Sequence, residues 1–163
     1  MALNGQDILL DLCQLHFAPT TEQRVSLLEG RIGVTFPAFF RSFLLSFNGG
    51  KFRHGIEFPV INTKLKYTIE ALYGIDVQSS CFDIGGETLL NAQTPTHPND
   101  PIAWLPIGST PGNFIICLNV QPTSQDYGMV VLKTPADEWL YLAETFDAFL
   151  DGLYLAEWAN EFD

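Results

Sequence analysis

One serine lies in a glycine-rich segment and is the first candidate for catalytic chemistry in this sequence. Ser109 belongs to the segment Gly108-Ser109-Thr110-Pro111-Gly112. A nucleophile elbow requires the spacing Gly-x-Ser-x-Gly, whereas here a glycine directly precedes the serine. A type I or II turn at the end of a strand accounts for the segment better. We therefore predict a turn over residues 108–112 and no serine nucleophile.

Other residues that could perform acid–base or metal chemistry are few and isolated. His97 and Asp100 lie three residues apart in a proline-rich loop, without a third ligand nearby. Asp83 and Glu87 could form an acid–base pair only if the fold placed them together. A zinc site would need closely spaced cysteines, and the chain has only Cys13, Cys81 and Cys117. We therefore expect no catalytic residues, no metal site and no cofactor.

Acidic residues outnumber basic residues, and the surplus is unevenly distributed. The 163 residues include 8 Lys+Arg and 19 Asp+Glu, for a formal net charge of −11. Residues 1–66 sum to +2, and residues 67–163 sum to −13. Binding to nucleic acid or to anionic lipid requires basic groups that this chain lacks. The acidic surplus fits either a solvated surface that aids solubility or a field that attracts a basic partner.

Length and composition indicate one globular domain that covers residues 1–163. Hydrophobic residues make up 47% of the chain and aromatic residues 13%, which is ample material for one core. The N-terminal twelve residues carry no Lys or Arg, so they do not form a signal peptide. Three widely spaced cysteines favour free thiols in a reducing compartment. We therefore expect a cytoplasmic protein without a membrane segment.

Helical periodicity is found mainly at the two ends of the chain. Thr20, three residues before Gln23, has capping-box spacing, and Gly33 is a typical helix stop. Pro37 is suited to begin a helix, which the segment Asn48-Gly49-Gly50 would end. The sequence predicts helices over residues 6–16, 20–32, 37–47 and 145–162, with a possible interruption at Gly152.

Strand patterns occupy the middle and the second half of the chain. Apolar, β-rich runs separated by turn residues predict strands over residues 102–107, 114–120, 127–132 and 139–143. Residues 55–61 predict a further strand, which Pro59 would place at a sheet edge. A brief helix is expected at 69–72. Helices at both ends and strands between them indicate an α+β fold.

Several short motifs in a fixed order resemble the SUKH superfamily. Residues 28–50 read LEGRIGVTFPAFFRSFLLSFNGG and are similar to its N-terminal signature. Leu105-Pro106-Ile107-Gly108 matches a central segment, and residues 112–118 match the strand that follows. Thr145-Phe146-Asp147-Ala148-Phe149-Leu150 matches the start of its closing helix. The matches run from about residue 20 to about residue 153 and leave Thr63–Asp100 unaligned.

The resemblance implies a central, mostly antiparallel sheet flanked by helices. It also implies a binding protein without catalysis. Most bacterial members look like immunity proteins that neutralise a cognate polymorphic toxin, often a nuclease, whereas Smi/Knr-type relatives act in signalling. We therefore expect an immunity protein whose partner is a basic toxin domain. The alternative is that the protein is a signalling or scaffold module of the same fold.

Aromatic and acidic residues of the last strands are the candidate partner-binding residues. A few buried aromatic anchors usually carry most of the affinity of an interface, and surrounding charges steer the encounter. The candidate anchors are Trp104, Tyr127 and Trp139, and core packing is the favoured alternative for each tryptophan. The candidate acidic rim consists of Asp126, Asp137, Glu138 and Glu144. The oligomeric state does not follow from the sequence.

Overall fold

The computed structural model describes residues 12–77, 82–85 and 103–162 of the chain. In these ranges the chain forms three α-helices: α1 (Glu22–Ile32), α2 (Ala38–Phe47) and α3 (Phe146–Asp151). A 3₁₀ segment, Glu157–Phe162, follows near the C-terminus. None of the helices in the described ranges is long and apolar enough to cross a bilayer.

In the described ranges, ten strands form two antiparallel sheets. The larger sheet has the order β1-β2-β5-β6-β7-β8-β9 and the smaller the order β10-β3-β4. The strands are β1 (Cys13–His16), β2 (Gly50–Phe52), β3 (Ile56–Pro59), β4 (Lys66–Thr68), β5 (Ala71–Leu72), β6 (Trp104–Thr110), β7 (Phe114–Asn119), β8 (Val130–Lys133), β9 (Trp139–Ala143) and β10 (Tyr154–Leu155). The predicted α+β class with a mostly antiparallel sheet is confirmed.

Helix boundaries follow local capping chemistry closely. Thr21, one residue after the predicted cap, accepts a hydrogen bond from the Arg24 amide at 3.3 Å and begins α1. Gly33 ends α1 in the left-handed conformation, with φ 70°. Thr145 accepts a hydrogen bond from the Ala148 amide at 3.2 Å and begins α3. A side-chain acceptor at the N-cap and a left-handed residue at the C-terminus satisfy backbone groups that the helix leaves free.

Two helix predictions are wrong, and the closing helix is interrupted at Gly152; in each case strand pairing takes precedence over periodicity. Residues 13–16, predicted as the end of a helix, form β1 and pair with β2; residues 1–11 lie outside the described ranges. Residues 69–72 contribute β5, which pairs with β2 and β6. The closing helix ends at Asp151, and β10 then pairs with β3. Helical propensity is a weak preference that tertiary pairing overrides.

The predicted strands are found with three corrections, the first being that the strand predicted over residues 127–132 begins at Val130. Strand β3 lies in the middle of the smaller sheet, not at its edge. Pro59 is tolerated because it is the last residue of β3 and is exposed. Ser109 lies within β6, which continues to Thr110, so the turn predicted from residue 108 begins three residues later, at Pro111.

An aromatic cluster forms the centre of the core. The Phe146 ring on α3 contacts the rings of Phe40 and Phe43 on α2, with centroids 5.0 and 4.9 Å apart in edge-to-face geometry. Phe149, also on α3, contacts Phe58 of β3 at 5.4 Å. Edge-to-face pairs add to the burial energy of each ring. Phe146 and Phe149 therefore connect α2 to the smaller sheet.

The segment Asn48-Gly49-Gly50 connects α2 to the larger sheet. Asn48 is 1% exposed, with φ 47°. Its side-chain amide donates to the carbonyls of Ala18 and Ile75 at 2.7 and 3.0 Å, and its Oδ1 accepts from the Ile75 amide at 2.8 Å. A Cβ on Gly49 would lie 2.5 Å from the Leu72 carbonyl oxygen, so no larger residue fits.

Replacement of Asn48 by alanine is predicted to destabilise the protein by about 3 kcal/mol. The change leaves buried backbone groups unpaired and forces a left-handed conformation on alanine. Urea denaturation measures the difference. Asn113→Ala is the matched control, because Asn113 has φ 69° but is exposed, so only the conformational cost of about 1 kcal/mol is expected there. Equal losses for both variants would contradict the role of the buried hydrogen bonds.

Candidate partner-binding surface

Strand register divides the β6–β9 part of the larger sheet into two faces. Directly opposed residues point the same way, and successive residues alternate. One face, the core face, packs in the aromatic core and includes Ile116, Leu118, Leu132 and Leu142. The opposite side is here called the outer face. It carries Trp104, Pro106, Ile115, Cys117, Val131, Lys133, Trp139 and Tyr141.

Two of the predicted anchors meet on the outer face. The rings of Trp104 and Trp139 lie with their centroids 5.5 Å apart, inclined at 45°. Their strands, β6 and β9, are separated by two others, which corresponds to about 14 Å. The two indoles therefore extend towards each other over the sheet. Trp139 is 41% exposed and Trp104 is half-buried, so the pair is neither in the core nor fully solvated.

The β8–β9 turn places two predicted acidic residues beside Trp139. Thr134 organises this turn: its hydroxyl accepts from the Glu138 amide at 3.1 Å, and its own amide donates to the Glu138 carbonyl at 2.9 Å. Asp137 adopts a left-handed conformation, with φ 60°. Its carboxylate pairs with the Lys133 ammonium at 3.5 Å, which in turn lies 5.9 Å from the Trp139 ring centroid. Both carboxylates are exposed.

The other two acidic residues lie at the opposite end of the same hairpin. Asp126 precedes β8 and Glu144 follows β9, and both are exposed. Burial raises the pKa of the Tyr141 hydroxyl, and the negative charges of Glu144 and Asp126 raise it further. The predicted rim is therefore divided between the two ends of β9, about 15 Å apart, with the aromatic residues between them.

Tyr127, the third predicted anchor, forms a hydrogen bond within the fold instead of lying beside the two tryptophans. Its hydroxyl donates a hydrogen bond of 2.9 Å to the carbonyl of Thr35, in the connection between α1 and α2. Burial raises the pKa of Tyr127, with a further contribution from the negative charge of Glu29. Tyr127 thus joins the β7–β8 loop to the helical layer, and it does not contact the tryptophan pair.

Of the residues weighed for catalysis, those in the described ranges are not grouped as an active site. The Ser109 hydroxyl donates to the Glu70 carboxylate at 3.3 Å and is buried. Burial raises the pKa of the Cys117 thiol to about 12, although the positive charge of Lys133 acts in the opposite direction. No three His, Cys, Asp or Glu side chains of the described ranges are grouped to hold a metal ion. Cys81, Glu87, His97 and Asp100 lie outside those ranges.

The profile of the SMI1 / KNR4 family (SUKH-1) matches residues 19–152. The chain belongs to this family. The match confirms the predicted resemblance over most of the sequence. A comparison with curated proteins found no significant match. Membership of the SUKH-1 family is consistent with immunity-type proteins and implies protein–protein interaction.

The N-terminal SUKH-1 motif has a structural explanation in this chain. Glu29 of the Leu-Glu pair accepts from the Phe36 amide at 2.9 Å and from the Arg41 guanidinium at 3.1 Å. Arg41 also donates to the hydroxyl of Ser26 at 2.8 Å. These bonds fix the turn between α1 and α2, so this part of the motif maintains the helical layer and lies apart from the outer face.

Glu57 is a buried polar residue that the sequence did not predict to belong to a binding site. Glu57 is only 8% exposed, although it lies in the short strand β3. Its carboxylate within the apolar segment 55–61 could have indicated a site, because charged residues are rarely buried without a partner. The sequence does not indicate that β10 and β4 flank this position.

Trp139→Ala is predicted to cost at most about 1.5 kcal/mol of folding free energy, because the indole is already partly solvated. Leu142→Ala, on the core face of the same strand, is expected to cost about 2–5 kcal/mol. Urea denaturation of both variants measures the difference. A loss at Trp139 as large as that at Leu142 would identify Trp139 as a core residue and remove it from the binding surface.

Proposed function

We propose that the protein is an immunity-type binding protein that neutralises a cognate toxin domain with a basic surface, such as a nuclease, in the cytoplasm. Residues 1–163 act as a single non-enzymatic domain in this proposal, and binding covers the active surface of the toxin. The proposal is carried by one observation: a half-exposed tryptophan pair lies between exposed carboxylates on one face of a SUKH-1 sheet.

The chemistry of the outer face supports a protein partner of opposite charge. Large aromatic side chains at the centre of an interface supply contact area, and charged groups at its margin determine how fast the partners meet. Asp137 and Glu138 lie at one margin, and Asp126 and Glu144 at the other. A nuclease must carry basic groups to hold phosphates, and these carboxylates would face them.

Lys133 lies between Asp137 and Trp139 on this surface. It is the only Lys or Arg in the C-terminal 97 residues, and its pairing with Asp137 reduces the repulsion that a basic partner would meet. Tyr127 contributes indirectly in this proposal, because its hydrogen bond to Thr35 holds the loop that carries Asp126. Trp104 and Trp139 are the proposed anchors.

The test is binding to the toxin domain encoded by a neighbouring gene, measured by stopped-flow fluorescence at increasing salt. Steering by the carboxylates predicts an association rate that falls about tenfold between 50 and 500 mM salt. Glu138→Lys is expected to slow association several-fold with little change in folding stability, because the side chain is exposed and its backbone forms the turn bonds.

Asp151→Lys is the matched control for the charge reversal. It changes the net charge by the same amount, but Asp151 lies at the C-terminus of α3 and outside the outer face. If the two reversals slowed association equally, the slower rate would result from net charge in general and not from the position of Glu138. Absence of any salt dependence would contradict the steering mechanism.

The alternative is a signalling or scaffold module of the same family that has no toxin partner. The family assignment favours neither role over the other. A growth assay distinguishes them, since co-expression with the neighbouring toxin restores growth only if the protein is an immunity protein. Failure of wild-type protein to protect, with the toxin active and both chains expressed, would favour the scaffold role.

A further inference from the structure

A cleft lies on the smaller sheet and shares no lining residue with the outer face. Glu57 of β3 is directly opposite Tyr154 of β10 and Thr68 of β4, so these three side chains share one side of the sheet. Ile56 and Phe58 point to the other side and are buried in the core. Lys66 of β4, and the chain from Leu155 of β10 to Trp158, complete the lining of a cleft of about 600 Å³.

The carboxylate at the base of this cleft has an incomplete set of partners. Glu57 is 8% exposed, and its Oε1 accepts no hydrogen bond in the structure. The nearest cation, the Lys66 ammonium, lies 3.9 Å from Oε1 and its side chain is 60% exposed. A buried carboxylate oxygen without a hydrogen-bond donor is costly, because burial removes solvation that no protein group replaces.

An aromatic ring and a hydroxyl flank this carboxylate. Burial raises the pKa of Tyr154, and the negative charge of Glu57 and a hydrogen bond to it raise that pKa further. The Trp158 indole is 39% exposed and packs edge-on against His54, with centroids 5.0 Å apart. The cleft therefore combines a buried acceptor, a donor already committed to that acceptor, and a partly exposed aromatic surface.

We propose that this cleft binds the guanidinium group of an arginine side chain carried by a protein partner. The guanidinium would donate to Oε1 of Glu57 and stack on the indole of Trp158. Glu157 at the rim adds a second negative charge, so the lining carries two acids and one base. This site is separate from the proposed toxin-binding surface and does not depend on it.

The chemistry of the lining selects arginine over other ligands. A guanidinium is planar, weakly hydrated and suited both to carboxylate pairing and to stacking on an aromatic ring, whereas a lysine ammonium is a strongly hydrated point charge. An anion would meet Glu57 and Glu157. The rim faces solvent at Lys66 and Trp158, so a free small molecule would stay half hydrated and bind weakly. An arginine on a protein chain gains further contacts outside the cleft.

Lys66 gives the proposal a directional test. Its ammonium is too far from Oε1 for a hydrogen bond, and the arriving guanidinium must displace it. Removal of this cation by Lys66→Gln is therefore expected to tighten binding of an arginine ligand. The same change would weaken binding of any anionic ligand, so the sign of the effect distinguishes the two.

The experiment uses full-length protein labelled with 5-fluorotryptophan and ¹⁹F NMR. The chain has three tryptophans, and single Trp→Phe variants assign their signals. The capped peptide Gly-Arg-Gly is titrated beside peptides with lysine or citrulline in place of arginine. We expect the Trp158 signal to shift with a dissociation constant on the order of 1 mM for arginine, at least threefold weaker binding for lysine, and no shift for the neutral citrulline.

Two variants complete the test. Glu57→Gln is expected to weaken arginine binding at least tenfold, and Lys66→Gln to strengthen it about threefold, while the signals of Trp104 and Trp139 report that the fold is intact. Should Glu57→Gln fail to fold, Lys66→Gln still decides the question. Equal shifts for arginine and citrulline, weaker binding by Lys66→Gln, or shifts confined to Trp104 and Trp139 would each overturn the inference. None of these results bears on toxin neutralisation by the outer face.

Discussion

The buried turn at Asn48 is the constraint on which the arrangement of helices and sheet depends. Three backbone groups from two distant segments need partners at this point, and the Asn48 side chain supplies two donated bonds and one accepted bond to them. A left-handed residue is also required there to end α2. Asparagine combines a tolerated left-handed conformation with an amide that both donates and accepts. Gly49 then lets the chain pass close to the Leu72 backbone and enter β2.

The position of β2 determines how the remaining strands of the larger sheet pair. Strand β2 pairs with β1 and β5, and β5 pairs with β6, so the register of the larger sheet extends from this turn towards β9. The aromatic rings of α2 and α3 cover one side of that sheet, and alternation along the strands leaves the other side to residues that do not pack in the core. The outer face is therefore a consequence of how α2 is joined to the sheet.

Sequence patterns predicted the elements that local chemistry governs. The stops at Gly33 and Asn48, the start of α2 after Pro37 and strand β9 are confirmed, because caps and apolar runs determine them within a few residues. Residues 13–16 and 154–155 were predicted wrongly as helix, because pairing with distant strands decides their conformation. The contact between Trp104 and Trp139 depends on the register of four strands, and the partner of the Tyr127 hydroxyl is 92 residues away, so neither could be read from spacing.

Substitutions on the two faces of one strand differ in how much folding stability they remove. On β9, Leu142 is 4% exposed and packs in the core, whereas Trp139 is 41% exposed. A change at Leu142 alters core packing, and its cost in folding stability limits which residues are accepted there. A change at Trp139 alters mainly surface shape and polarity, since much of the indole is already in water. Alternation along a strand therefore separates residues that maintain the fold from residues free to match a partner. Residues of the outer face can therefore change while Asn48 and the aromatic core stay the same.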